Sequence, residues 1–233
     1  MLSVRLWGVR GSMPMPRREM LRYGGNTACV EVRTEETLLV IDAGTGAVAL
    51  GDTLPESERA IHMLFSHCHW DHIMGFPFFA PLHRADSQVR LYGSTVVTGR
   101  LDHHLRNQME NPYFPVRLEA LSARIEFSNI EPGHFEVDDL RIEACSLVHP
   151  QGVLGFRLEH DDVAVVYATD NEHGAAEGME RLVGLARGAD LLIADAQYAP
   201  QEYEREKRGW GHGTWEQAAR AAREAGVKQL VLF

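Results

Sequence analysis

A chain of 233 residues with 45% hydrophobic side chains can bury a substantial core, and no linker-like stretch divides it. Its 23 basic and 33 acidic residues give a formal charge of -10, which disfavours non-specific binding to nucleic acid or anionic membranes. Cys29, Cys68 and Cys145 form no C-x-x-C pair, so a disulfide framework is not indicated and a reducing cytoplasm is the expected setting. No apolar run reaches the length of a membrane span, and Met1 to Trp7 enters a strand pattern at once instead of a signal sequence.

The first half reads as short strands separated by glycine turns. Strands are predicted at Val4 to Trp7, Cys29 to Arg33 and Thr37 to Ile41, the last running into Asp42-Ala43-Gly44-Thr45-Gly46. A further strand over residues 61–65 leads into Ser66-His67-Cys68-His69-Trp70-Asp71-His72. A strand that stops there launches a tight loop whose side chains converge on one point. Imidazole nitrogens and a carboxylate oxygen are the donors that borderline divalent cations such as zinc prefer. In a chain with 12 histidines a lone one would mean little, but the spacing H-x-H-x-D-H reads as a two-metal motif. Cys68 alternates away from the side on which His67 and His69 converge and is expected to be a small packing residue. Gly75 to Phe79 reads as a short apolar helix, and residues 89–92 as the next strand. Residues 99–118 start as a polar helix carrying Leu101, Leu105 and Met109, then break at Asn111-Pro112-Tyr113-Phe114-Pro115. This is a helical insertion followed by a loop that either overhangs the site or forms an interaction surface.

The second half repeats the theme. Strands are predicted at Ile125 to Phe127, Leu140 to Leu147, Leu154 to Leu158, Val163 to Ala168 and Leu191 to Ala194, with a helix from about Ala175 to Arg187. A second helix starts at Thr214, where Thr214 and Gln217 form a capping-box pattern; Trp215, Ala218, Ala219, Ala222 and Ala225 make one face and Gly226 stops it. Val227 to Phe233 begins a final strand. Two sets of strands with appended helices suggest two packed sheets with outer helices. His149 before Pro150 and Asp170 before Asn171 sit at strand ends, where a rigid sheet presents functional groups on loops. Alone, His149 would be a turn residue and Asp170 a helix N-cap. Beside the heptapeptide both become ligand candidates.

These residues resemble the metallo-β-lactamase superfamily: the motif over 67–72, His149, Asp170 in Tyr-Ala-Thr-Asp, and His212 in Gly-His-Gly-Thr. Within it the chain is most similar to the ribonuclease Z and cyclic phosphodiesterase branch. Arg5-Leu6-Trp7-Gly8-Val9-Arg10-Gly11-Ser12 and Gly24-Gly25-Asn26-Thr27 resemble a bacterial subgroup of metal-dependent hydrolases. The resemblance implies an α/β fold, a four-layer αββα sandwich of two mainly antiparallel or mixed sheets with outer helices. It further implies that His67, His69 and His149 hold one metal, that Asp71, His72 and a later histidine hold the other, and that Asp170 bridges them. Because His69 stands where the redox-active diiron relatives carry a carboxylate, two zinc ions of hydrolytic type are expected, with manganese as the alternative. His212 matches the family's His-Ser-Thr motif with Gly213 in place of serine, and there assists the departing phosphate oxygen. Asp195, at another strand end, is placed to orient it. Relatives carry a further histidine after the strand resembling Leu230 to Phe233. The expectation is therefore one hydrolase domain over 1–233 that lacks its extreme C-terminus, or another residue such as His173 in that role.

The reaction expected is hydrolysis of small or cyclic phosphodiesters by a metal-bridging hydroxide, oriented by Asp71 and assisted by His212. The rivals are a lactone or thioester hydrolase and a non-catalytic metal-binding signalling domain. Expected partners are a small phosphodiester substrate, no stable nucleic-acid complex, no membrane, and at most a second copy of the chain.

Overall fold

The computed structural model describes residues 1–233, and its strands form two six-stranded mixed sheets. The chain divides into two compact units, Met1–Ile130 and Glu131–Phe233, each built on one of these sheets.

In the first unit β1 (Ser3–Gly8), β2 (Cys29–Arg33) and β3 (Leu38–Ile41) make an antiparallel meander. From β3 the sheet continues in parallel through β4 (Ala60–Leu64), β5 (Gln88–Gly93) and β6 (Arg124–Asn129). Parallel neighbours need crossovers, and helices supply them. They are α1 (Gly46–Thr53), the short α2 (Trp70–Ile73) and α3 (Leu101–Gln108). The run Leu38-Leu39-Val40-Ile41 is buried throughout, the pattern of a strand covered on both faces. Cys29, Val40, Ala47, Leu50, Met63, Phe76 and Leu91 belong to this unit's core.

The second unit repeats the plan. Strands β7 (Gly133–Val137), β8 (Leu140–Leu147), β9 (Val153–His160) and β10 (Val163–Ala168) pair antiparallel. Two-residue turns at Asp138-Asp139 and Asp161-Asp162 close two of these hairpins, with Asp138 and Asp161 at positive φ as such tight turns require. After β10 the sheet turns parallel through β11 (Leu191–Ala194) and β12 (Gln229–Leu232). Helix α4 (Ala176–Ala186), a short turn α5 (Pro200–Glu202) and α6 (Trp215–Ala225) make the connections. Thr214 and Gln217 form the reciprocal capping box, and Gly226 ends α6 in the left-handed conformation.

Several elements differ from the sequence reading. Helix α1 and strand β7 carry no signal strong enough to predict, because Gly46 and Gly51 lower helix propensity in α1 and burial decides instead. The helix expected over Gly75 to Phe79 begins earlier, inside the heptapeptide, and those residues instead form 3-10 turns at Phe76–Phe78 and Ala80–His83. On α6 the buried stripe is Ala218, Ala221, Ala222 and Ala225, while Trp215 is half exposed. No helix is long and apolar enough to cross a membrane.

Candidate metal centre

Five strand ends deliver the candidate residues. Asp42 follows β3, His67 follows β4, His149 follows β8, Asp170 follows β10 and Asp195 follows β11. A strand fixed by its ladder gives the first loop residues little freedom, so their side chains are placed with the precision of the sheet.

In the first unit the imidazole rings of His67 and His69 lie 4.4 Å apart between centroids, and those of His67 and His72 4.2 Å apart. A buried carboxylate organises them. Asp42, at φ +60, accepts hydrogen bonds from the Ser66 backbone N–H, from Ser66 Oγ and from His72 Nδ1, each at 2.7 Å. Ser66 Oγ in turn lies 3.1 Å from His67 Nδ1. With the hydroxyl proton committed to Asp42, His67 Nδ1–H donates to Ser66, so His67 and His72 both carry the proton on Nδ1 and the lone pair on Nε2. This is the tautomer that a metal ligand requires. Asp71 Oδ2 lies 3.6 Å from His72 Nε2 and accepts the Ser12 backbone N–H at 2.7 Å. Ser12 is held at φ +69, a strained backbone at a functional position. Cys68 packs against the core as predicted, and burial, then the Asp42 charge, push its thiol up to about 12.

In the second unit His149, Asp170 and His212 offer donor atoms that all lie within 4.8 Å of one another. His149 Nδ1 donates to the Gly211 carbonyl at 2.8 Å, which again leaves the lone pair on Nε2. Asp195 holds His212 by its Nδ1 at 2.7 Å and also accepts the backbone N–H groups of Asp170 and Gly213 at 3.0 and 2.8 Å. One carboxylate thus fixes three parts of the cluster. Asp170 itself sits at φ +54, a conformation aspartate tolerates better than most side chains.

His173 takes no such part. It is buried, its Nδ1 accepts from Asn171 Nδ2 at 2.8 Å and its Nε2 donates to the Asp195 carbonyl at 3.0 Å, so both ring nitrogens are committed. Burial pushes its pKa down against the pull of Asp195, which keeps the ring neutral. A Cβ at Gly213 would approach His173 Cδ2 to 2.3 Å. His173 therefore explains why glycine replaces serine beside His212.

Sequence reasoning missed Asp42, Ser66, Ser12 and Glu172. Glu172 accepts from Tyr203 Oη at 2.8 Å and from the Gly209 and Gly211 backbone at 2.7 and 3.0 Å. Burial alone would push its pKa up, but these donors hold it below the usual carboxylate range. The Gly211 carbonyl then bonds His149, so Glu172 acts on His149 through the loop. The signal that could have found Asp42 is an acidic residue directly after an apolar strand, which Asp195 shares.

The same loop makes Gly211 irreplaceable. It sits at φ +82, and a Cβ there would come within 2.3 Å of His149 Nδ1. Gly211→Ala is expected to displace His149 and lower metal affinity about 10- to 100-fold, as loss of a ligand's orienting partner does. Competition with a chromogenic chelator measures it.

The donors fit divalent cations of zinc type: neutral imidazoles with the second nitrogen tied, together with carboxylates. Comparison with known proteins places the chain in a family. The curated ribonuclease Z of Haloarcula marismortui is 23% identical over 281 residues, covering 99% of this chain and 85% of its own. Among solved structures, the metallo-β-lactamase fold protein YhfI of Bacillus subtilis superposes with TM-score 0.73 at 19% identity, over 100% of this chain and 85% of its own. Human tRNase Z, short form, gives 0.72 at 20% identity, over 100% and 92%. These two share the fold. Residues 37–233 match the family model of the β-lactamase superfamily domain, and the chain belongs to the metallo-β-lactamase superfamily of metal-dependent hydrolases.

Proposed function

We propose that residues 1–233 act as one hydrolase domain, a phosphodiesterase for small or cyclic phosphodiesters working in the cytoplasm. In this reading His67, His69 and His149 hold one divalent ion, Asp71 and His72 hold a second, and Asp170 bridges, with zinc preferred and manganese the alternative. Bound ions of this kind supply a nucleophilic water near neutral pH and neutralise phosphate charge. The protein's own groups do the rest. Asp71, fixed by the Ser12 N–H, orients the attacking water and accepts its proton. His212, fixed by Asp195, delivers a proton to the departing oxygen.

The observation that carries this reading is the 2.7 Å contact between His212 Nδ1 and Asp195 within a cluster that also holds His149 and Asp170. A carboxylate there fixes the ring through Nδ1 and leaves Nε2 to carry the mobile proton. Such an acid matters most for an alkoxide leaving group. The name ribonuclease carried by the relatives points to the same bond type. Small diesters are favoured over structured RNA because a formal charge of -10 repels a polyanion at long range.

The test is a panel of bis-p-nitrophenyl phosphate, a small cyclic phosphodiester, a structured RNA, a lactone and a thioester, each with zinc or manganese. The two small diesters are expected to be cleaved, and faster than the RNA. Turnover confined to the lactone or thioester would overturn the proposal, and no turnover at all would favour a binding role.

A further inference from the structure

The heptapeptide has a second side that metal binding does not use. Successive residues of a helical turn are rotated by about 100°. In α2, Asp71 and His72 therefore face one way and are buried, while Trp70, Ile73 and Met74, at the i, i+3, i+4 spacing, share another face. Trp70 is 77% exposed.

That second face opens onto a pocket of 490 Å³ that lies wholly within the first unit. Cys68 and Trp70 of the metal loop line one wall. Phe78 lines another, together with Tyr113 and Phe114 from the segment after α3, and Phe78 and Phe114 meet edge to face at 5.4 Å and 83°. The loop at 111–115, which the sequence left open between overhanging the site and forming a surface, thus joins the metal loop at a concavity.

Three of these aromatics stay uncovered: Tyr113 is 81% exposed, Trp70 77% and Phe78 57%. Leaving this much apolar surface in water forgoes about 25 cal/mol per Å², and apolar surface gathered around a concavity marks a binding site. The volume falls in the range of small-molecule pockets, roughly 300–1,000 Å³. Its lining holds no lysine, arginine, aspartate or glutamate, and His104 is its one imidazole, which suits an uncharged ring. Asn107 and Gln108 also line it, with their amide nitrogens bonded to His103 Nε2 at 3.0 Å and to the Ile73 carbonyl at 3.3 Å. That fixes both amides with their oxygens as acceptors for ring-edge donors.

We infer that this pocket receives the planar aromatic ring, nucleobase or aryl, of a phosphodiester whose phosphate is held on the metal-binding side of the same loop. The inference rests on the phosphodiesterase reading for the phosphate. The two faces lie within the width of one helix, about 10 Å, which a nucleoside monophosphate spans. Aromatic faces and sulfur atoms suit a π-face, and the Asn107 and Gln108 amides offer polar partners to a ring edge.

Isothermal titration of the zinc-supplemented protein with adenosine 5′-monophosphate, phenyl phosphate and ribose 5-phosphate tests it without turnover. The aromatic ligands are expected to bind roughly tenfold tighter than ribose 5-phosphate, the size of one stacking interaction. Trp70→Ala and Tyr113→Ala, both at exposed positions, should remove that advantage while ribose 5-phosphate binds as before. Preference for the nucleotide alone assigns a nucleobase, and preference for phenyl phosphate alone an aryl ring. Equal affinity for all three ligands, no measurable binding of either aromatic one, or an aromatic preference that survives both substitutions overturns the inference. A protein that binds adenosine monophosphate through these residues and cleaves no diester keeps the pocket and loses the phosphodiesterase reading.

Discussion

Asp71→Ala is expected to lower phosphodiester turnover by about 10³-fold or more while the protein stays folded. The substitution removes a metal ligand and the carboxylate that orients the attacking water, together several kcal/mol of transition-state stabilisation, and each 1.36 kcal/mol is about tenfold in rate. Its structural cost is small by comparison. Asp71 Oδ2 accepts the Ser12 N–H, and losing one such bond costs about 1 kcal/mol of stability. Rate measurements on bis-p-nitrophenyl phosphate, with circular dichroism and a thermal melt on the same sample, separate the two effects. Asp71→Asn keeps an acceptor for Ser12 and discards the charge, so it should melt like the parent and remain inactive. An active Asp71→Ala enzyme would remove this residue from the reaction.

The second large effect concerns His212. His212→Ala should slow diesters with poor, alkoxide-like leaving groups by about 10²-fold or more, the ordinary contribution of a general acid. Diesters that release p-nitrophenolate should slow much less, since that anion departs without a proton. Asp195→Asn should reproduce the same leaving-group dependence. An amide in place of the carboxylate presents either the wrong dipole to His212 Nδ1 or the wrong one to the Gly213 N–H, which now bond to the two oxygens of one group. The check is a series of aryl and alkyl diesters compared across the parent and both variants. Equal slowing across the series would assign His212 to positioning or metal binding instead of proton transfer.

Much of the site could be read from residue order because it sits on strand ends. The apolar run before His67 sets the end of β4, and the apolar runs before His149 and Asp170 set those of β8 and β10. Period-2 and apolar-run signals find such strands, and the polar residue that follows is then placed by the sheet. The orienting groups were harder to read. Asp42 bonds His72 across thirty positions, and Glu172 acts on His149 only through the backbone of Gly211. Neither contact leaves a periodic trace, because both depend on which strands become neighbours. Helix α1 escaped for a related reason: its buried residues include Gly46 and Gly51, which weaken the local preference that packing then overrides. The aromatic pocket was visible only as unrelated pieces, Trp70 in a motif and Tyr113 in a proline-broken loop.

The measurement that bears most directly on the account is the metal content of the purified protein, by elemental analysis after expression with zinc and manganese supplied. Two equivalents of divalent transition metal per chain are expected, falling when His67 or His149 is changed to alanine, with phosphodiesterase activity falling in step and returning when metal is restored to the chelated parent. A folded protein that holds no such metal, or that cleaves phosphodiesters equally well after complete removal of metal, would contradict it.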